Sequence, residues 1–281
     1  MVPEANAKIS VLDRGFLYGD GVYEAVRVYE GKIFRVEQHW KRLDHSLKGI
    51  GLRIPWSHQD LTRACVATLK ANRLKEAMIR VTISRGAGEL GYDPGTCRHP
   101  TFTVIALPIR TDLQERWRQG VKVSIVKIRR NSTRSLSPAI KHTNALNGIL
   151  AKIESLKVRA FEGVFLNLDG YVAEGTISNI FIVKNGTVKT PALDCGILDG
   201  VTRHAVLEVA RGSGRKILET YLKIQDVLKA DEIFLTSTTM EVMPVVKVDR
   251  TVIGGGRPGP VTRSLHIAFR SLLFKELKLH G

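Results

Sequence analysis

The chain has 281 residues, of which 43% are hydrophobic and 6% aromatic, enough for one large or two modest globular domains with aliphatic cores. Its formal charge of +16 raises nucleic-acid binding, but the basic residues are dispersed, densest at 127–130 and 263–278, and no stacking aromatics are interleaved with them, so no nucleic-acid partner is expected. No apolar run reaches membrane-spanning length, the first ten residues lack a charged-then-apolar leader, and Cys65, Cys97 and Cys195 have neither the number nor the spacing of a disulfide framework or zinc site; no membrane, no metal and a cytoplasmic location are expected.

In chain order, glycines at 15, 19 and 21 tighten a loop that leads into a strand at 22–29, a turn at Glu30-Gly31 and a second strand from Lys32. On the first strand Tyr23, Ala25 and Arg27 alternate onto one face. A helix is predicted at 36–50, where Trp40, Leu43, Leu47 and Ile50 form one face and His39 and Arg42 are surface neighbours three residues apart. A second helix spans 57–72, opened by Ser57 with Asp60 three residues on. A strand from Glu76 then runs into a loop with Gly86, Gly88 and Gly91, which lacks the lysine of a phosphate loop. After an apolar strand at 101–107, the polar stretch 108–120 reads as a linker. The predicted domains are therefore 1–107 and 121–281.

In the second of these, an amphipathic helix is predicted to open at Lys141, with apolar Leu146, Ile149, Leu150, Ile153 and Leu156. A strand at 163–168, the turn Asp169-Gly170 and a return strand deliver Glu174 at a strand end, and the next strand covers 177–183. Gly200, Val201 and Thr202 precede a helix at 203–210; this pattern serves either as a plain N-cap or as an anion site, where free N–H groups and the helix dipole favour phosphate. A strand at 231–235 ends in the hydroxyl cluster Thr236-Ser-Thr-Thr239.

A lysine and a glutamate so placed suit pyridoxal phosphate, which needs an amine for its aldehyde and a partner for its ring nitrogen. Taken alone, the pair is as consistent with a solvated lysine and a strand-end glutamate. The surrounding segments carry more information: DRGFLYGDGVYEAVRVYEGKIFRVEQHWKRL, AIKHTNALNGILAKIES, EGVFLNLDGYVAEGTISNIFIVKNGTVKTP, GILDGVTRHAVLEVA and DEIFLTSTTMEVMPV. In this order, and over nearly the whole chain, they resemble the fold-type IV pyridoxal-phosphate enzymes, which include branched-chain and D-amino-acid aminotransferases, some (R)-amine transaminases and aminodeoxychorismate lyases.

The resemblance implies an α/β (α+β) fold with a smaller N-terminal and a larger C-terminal domain, pyridoxal 5′-phosphate as cofactor, and a homodimer. It implies Lys141 as the catalytic amine, Glu174 at the ring nitrogen, and Arg42, Val201, Thr202 and Thr238 around the phosphate. Tyr18, Tyr23, Arg27, Arg80 and Thr239 match substrate-side positions. His39 is equally an ordinary helix-packing residue. The opening stretch before position 11 is shorter than is usual in the family, which implies either the lack of a first strand or a different start codon. Arg27, Arg80 and the loop after position 84 look most like branched-chain aminotransferases, implying transfer from an L-branched-chain amino acid to 2-oxoglutarate by a ping-pong route. Met78 and Ala145 depart from that type, each standing where a tyrosine is expected. D-amino-acid or (R)-amine transamination and aminodeoxychorismate lyase activity are the alternatives, although Arg85-Gly-Ala87 does not supply the Arg-x-His pair of the D-type.

Overall fold

In the computed structural model, which describes residues 2–279, the chain forms two compact units, each with its own sheet. The first comprises residues up to Ile109 together with Ile140–Ala145. Its elements are α1 (Arg14–Tyr18), β1 (Gly21–Tyr29), β2 (Lys32–Ile33), α2 (Val36–Gly49), α3 (His58–Asn72), β3 (Ala77–Ser84) and β4 (Thr101–Pro108). The strands form an antiparallel sheet in the order β2-β1-β3-β4. Period-two alternation decides its faces. Val22, Val26 and Val28 of β1 and Ile79, Val81 and Ile83 of β3 are buried with Trp40, Leu43 and Leu47 of α2 and Leu61, Cys65 and Leu69 of α3. The opposite face presents Tyr23, Ala25 and Arg27 against Thr82, Arg80 and Met78, which in turn face Thr103, Ile105 and Leu107 of β4. α3 starts at a full capping box, with Ser57 and Asp60 satisfying each other's backbone N–H. Residues 2–10 contain one short 3-10 turn and no strand.

The second unit comprises Arg110–Ala139 and the chain from Leu146 onward. It contains α4 (Leu113–Gln119), β5 (Val121–Ile125), α5 (Leu146–Lys157), β6 (Glu162–Leu166), β7 (Val172–Gly175), β8 (Asn179–Lys184), β9 (Thr187–Pro191), α6 (Val201–Gly212), β10 (Ile217–Thr220), α7 (Ile224–Leu228), β11 (Glu232–Ser237), β12 (Glu241–Val248), β13 (Thr251–Val252) and α8 (Pro260–Leu277). The mixed sheet runs β10-β9-β8-β11-β12-β5-β6-β7, with β13 paired to β12. Its central strands are buried on both faces; Phe181 and Phe234 stack at 4.9 Å.

Two features differ from the sequence reading. The stretch 108–120, read as a linker, holds α4 and from Arg110 groups with the second unit: α4 buries Leu113, and Trp117 donates from Nε1 to the Met240 carbonyl at 2.8 Å. And Lys141 does not open a helix. α5 begins at Leu146, while residues 140–145 group with the first unit, because their backbone is hydrogen-bonded there. No helix among the described residues is long and apolar enough to cross a membrane.

Candidate active site

In the first unit the backbone of Lys141 is tied at both ends. Its N–H donates to Ser46 Oγ at 3.0 Å, and its carbonyl accepts from the Tyr23 N–H at 2.9 Å. Thr143 extends the tie, donating its N–H to the Gly21 carbonyl at 2.8 Å and its hydroxyl to the Gly19 carbonyl at 2.8 Å. The Lys141 ammonium lies 4.5 Å from the Tyr23 ring centroid, and the Arg80 guanidinium lies 3.7 Å from it. The charge of Lys141 outweighs burial and, with Arg80, holds the Tyr23 phenol below its ordinary value. Arg80 also donates from Nε to Thr82 Oγ1 at 3.2 Å.

Beneath this group lies a buried ionic cluster. Glu24 points to the apolar face of β1 with zero exposure and accepts from Arg42 Nε at 2.7 Å, Arg42 Nη2 at 2.8 Å and His39 Nδ1 at 2.8 Å. Burial acts to raise the Glu24 carboxyl, but the Arg42 charge and the hydrogen bonds from Arg42 and His39 together win, bringing it to about 2. For His39 burial is the larger effect and lowers its pKa, despite Glu24. Arg42 is thus locked by a bidentate carboxylate. The sequence reading overlooked Glu24, although a carboxylate in register with Val22, Val26 and Val28 signals a buried charge that requires a partner.

Tyr18 and Arg27 have partners of their own. The Tyr18 hydroxyl accepts from the Gly91 N–H at 3.1 Å, and its ring meets Tyr92 edge-on at 5.4 Å. Arg27 donates from Nη2 to Glu76 at 2.7 Å and lies 4.6 Å from the Tyr29 ring centroid; its Nε and Nη1 find no hydrogen-bond partner among the described residues.

In the second unit Glu174 is the last residue but one of β7, at the strand end where it was expected, and it is buried. Its Oε1 accepts from Arg130 Nε at 2.8 Å; its Oε2 accepts from the Leu198 N–H at 2.9 Å and from Asn179 Nδ2 at 3.4 Å. Arg130 in turn donates to Asn147 Oδ1 at 3.1 Å. Arg130 and Asn179 were not singled out from sequence; Arg130 meets Glu174 across 44 residues, a contact that no local pattern encodes. α6 begins two residues earlier than expected, so Val201 and Thr202 are its first two residues. Gly200 is the N-cap, with no side-chain cap and no acid in the first turn. A Cβ at Gly200 would fall 2.1 Å from Asn179 Oδ1, so glycine is required for this approach. Thr238 and Thr239 are half-buried in the turn between β11 and β12.

The family model for class IV amino-transferases matches residues 21–248. The chain belongs to the class IV aminotransferases. This aminotransferase is 40% identical over 274 residues, 98% of its own length and 94% of the other's, to a putative branched-chain-amino-acid aminotransferase of Methanocaldococcus jannaschii. It is 34% identical to an aminodeoxychorismate lyase of Bacillus subtilis (98% and 92% covered) and 31% identical to a D-alanine aminotransferase of Bacillus licheniformis (98% and 95% covered). Its fold matches the branched-chain amino acid aminotransferase of Escherichia coli with a TM-score of 0.93 at 31% identity, covering 97% and 92% of the two chains.

Class IV aminotransferases are pyridoxal-phosphate enzymes, and the residues of this one fit that cofactor chemically. The first unit by itself offers a lysine amine on a hydrogen-bonded segment and a locked guanidinium, and the second by itself a buried carboxylate and a helix N-terminus whose first-turn amides no side chain caps.

Proposed function

We propose that the enzyme transfers the amino group of an L-branched-chain amino acid to 2-oxoglutarate in two half-reactions, a ping-pong cycle. One observation carries this reading. On one face of the first sheet, Arg80 lies over the Tyr23 ring, directly opposite Ile105 and diagonal to Leu107, which places a guanidinium suited to a carboxylate beside exposed aliphatic side chains suited to a branched chain. Identity of 40% to the archaeal relative supports it.

Pyridoxal phosphate supplies the electron sink when bound. Lys141 would hold its aldehyde and would take up and return the proton at the substrate Cα. Glu174, oriented by Arg130, Leu198 and Asn179, would partner the ring nitrogen and keep it protonated. Arg42, the amides of Val201 and Thr202, the Thr202 hydroxyl and Thr238 bind the phosphate. Tyr23, Arg80, Thr239, Tyr18 and Arg27 orient the substrate. The test is a donor screen on holoenzyme with L-leucine, L-isoleucine, L-valine, D-alanine, D-glutamate and (R)-1-phenylethylamine, with 2-oxoglutarate or pyruvate as acceptor. Turnover of the L-branched donors about tenfold or more above the others is expected.

Met78, in place of a tyrosine, favours a second reading as a D-amino-acid or (R)-amine transaminase. Turnover of those donors alone would establish it, and no transamination at all would point to lyase chemistry.

The same proposal includes a cytoplasmic homodimer. The apolar stripe of α5 faces outward: Leu146, Ile149, Leu150, Ile153 and Leu156 are 44–59% exposed, while the buried residues of the helix are Ala151 and Ser155. A contiguous exposed apolar stripe calls for a partner surface. The double substitution Leu150→Asp and Ile153→Asp is expected to convert dimer to monomer in equilibrium sedimentation. A wild-type protein that sediments only as monomer in its holo form contradicts the homodimer.

A further inference from the structure

The turn that joins Glu174 to Asn179 stands on a single buried acid, Glu162, to which nothing above assigns a role. Glu162 opens β6 and is 1% exposed. Its Oε1 accepts from the Ile177 N–H at 2.8 Å, Ser178 Oγ at 2.9 Å and Thr176 Oγ1 at 3.4 Å. Its Oε2 is buried with no hydrogen-bond partner among the described residues. Fit around the carboxylate is close, since a Cβ added at Gly175 would lie 2.3 Å from both Glu162 Oε1 and Ser178 Oγ. The turn is closed by Gly175 N–H to the Ser178 carbonyl at 2.7 Å and laid on β6 by Thr176 N–H to the Gly163 carbonyl at 3.0 Å. Its one large apolar side chain, Ile177, is 67% exposed, so the hold on the turn is polar rather than hydrophobic. Burial is the largest influence on the Glu162 carboxyl and raises its pKa, against the hydrogen bonds from Ile177, Ser178 and Thr176 and the charge of Lys152. The Lys152 ammonium itself is spent on the Phe161 carbonyl. An acid in this position is costly to keep, and its hydrogen bonds converge on one short turn.

We propose that Glu162 is a positioning residue for the cofactor: by gathering Thr176, Ile177 and Ser178 onto one oxygen, it sets the placement of Glu174 and Asn179 and hence the angle at which the Glu174 carboxylate meets the ring nitrogen. The inference rests on the assignment of Glu174 to that nitrogen. Glutamine preserves the acceptor oxygen and the shape of the side chain; alanine removes both and leaves the Ile177 N–H and the Ser178 hydroxyl without their acceptor.

The experiment compares wild type, Glu162→Gln, Glu162→Ala and Glu174→Ala as purified holoenzymes, measuring cofactor affinity by fluorescence and the pH titration of the visible absorbance band of bound cofactor. Glu162→Ala is expected to weaken cofactor binding about tenfold, the lower end of what outer-shell orienting groups contribute at metal sites, and to displace the titration in the same direction as Glu174→Ala. Glu162→Gln is expected to restore both. Should Glu162→Ala fail to fold, Ser178→Ala, which removes one of the three donors, is expected to show the same displacement in smaller measure. A displaced titration in Glu174→Ala but none in Glu162→Ala or Ser178→Ala overturns this inference alone, as does a lowered melting temperature with both cofactor readouts intact. No displacement in Glu174→Ala overturns the assignment of Glu174 itself.

Discussion

Replacing Lys141 by alanine is expected to abolish transamination, lowering kcat/KM by about 10⁴-fold or more, and to remove the visible band that the wild type shows with pyridoxal phosphate. Proton transfer by a positioned group contributes up to about 10⁴-fold, and loss of the amine also removes the anchor for the aldehyde. The fold should survive. What ties residue 141 into the first unit is its backbone, through Ser46 and Tyr23, and an alanine keeps both bonds. The side chain contributes a cation beside the Tyr23 ring, a contact that Arg80 also makes. The melting temperature of the cofactor-free variant should therefore lie close to that of the cofactor-free wild type. Residual transamination within tenfold of wild type would remove Lys141 from the chemistry. A collapse of the melting temperature would mean that its side chain holds the fold together.

The second large effect is expected from the Glu24 cluster, as a loss of stability in acid. The Glu24 carboxyl sits at about 2 in the folded chain, below its ordinary 4.5. A depressed acid contributes stability that is fully present above the unfolded value and is lost as pH falls from about 4.5 toward 2; this difference corresponds to on the order of 3 kcal/mol. His39 acts in the same direction. Its pKa is lowered by burial, so the unfolded chain takes up a proton from about pH 6.5 downward that the folded chain resists. Wild type should thus lose melting temperature gradually below pH 6.5 and steeply below 4.5. Glu24→Gln should be destabilised at pH 7 by roughly 3–5 kcal/mol, because it leaves the Arg42 guanidinium without its buried counter-charge, and should show a flatter profile in acid. A wild-type melting temperature that holds level to pH 3, or a Glu24→Gln variant with the slope of the wild type, would contradict this account. Arg42 is also the proposed phosphate ligand, so Glu24→Gln is expected to weaken cofactor binding as well.

Local chemistry made several elements readable in advance. Ser57 and Asp60 form the capping box that their spacing announces, and alternation along β1 put Tyr23 and Arg27 on the face away from the core. The residues proposed to hold the cofactor were accessible for the same reason: Lys141, Glu174 and the Gly200-Val201-Thr202 turn lie in short continuous segments whose residue types suit one cofactor. Lys141 was misplaced onto a helix because apolar periodicity from Leu146 onward extends plausibly backward, and because nothing local announces that Ser46 and Tyr23, 95 and 118 positions away in the chain, will take up its backbone groups. Periodicity likewise located the apolar stripe of α5 correctly but could not tell which way it faces, since a stripe turned toward a core and one turned outward read alike.

Sequence alone therefore determined the family, the cofactor and most of the element types, because these depend on residue identity at short spacing. Tertiary structure decided what each charged group does. Glu24 locks Arg42, Arg130 holds Glu174, and Glu162 gathers the turn beyond it, all through contacts between residues far enough apart in the chain that only folding brings them within hydrogen-bond distance. A buried charge has to find its counter-charge or donors wherever the fold delivers them, and that place is a property of the packed chain rather than of any segment.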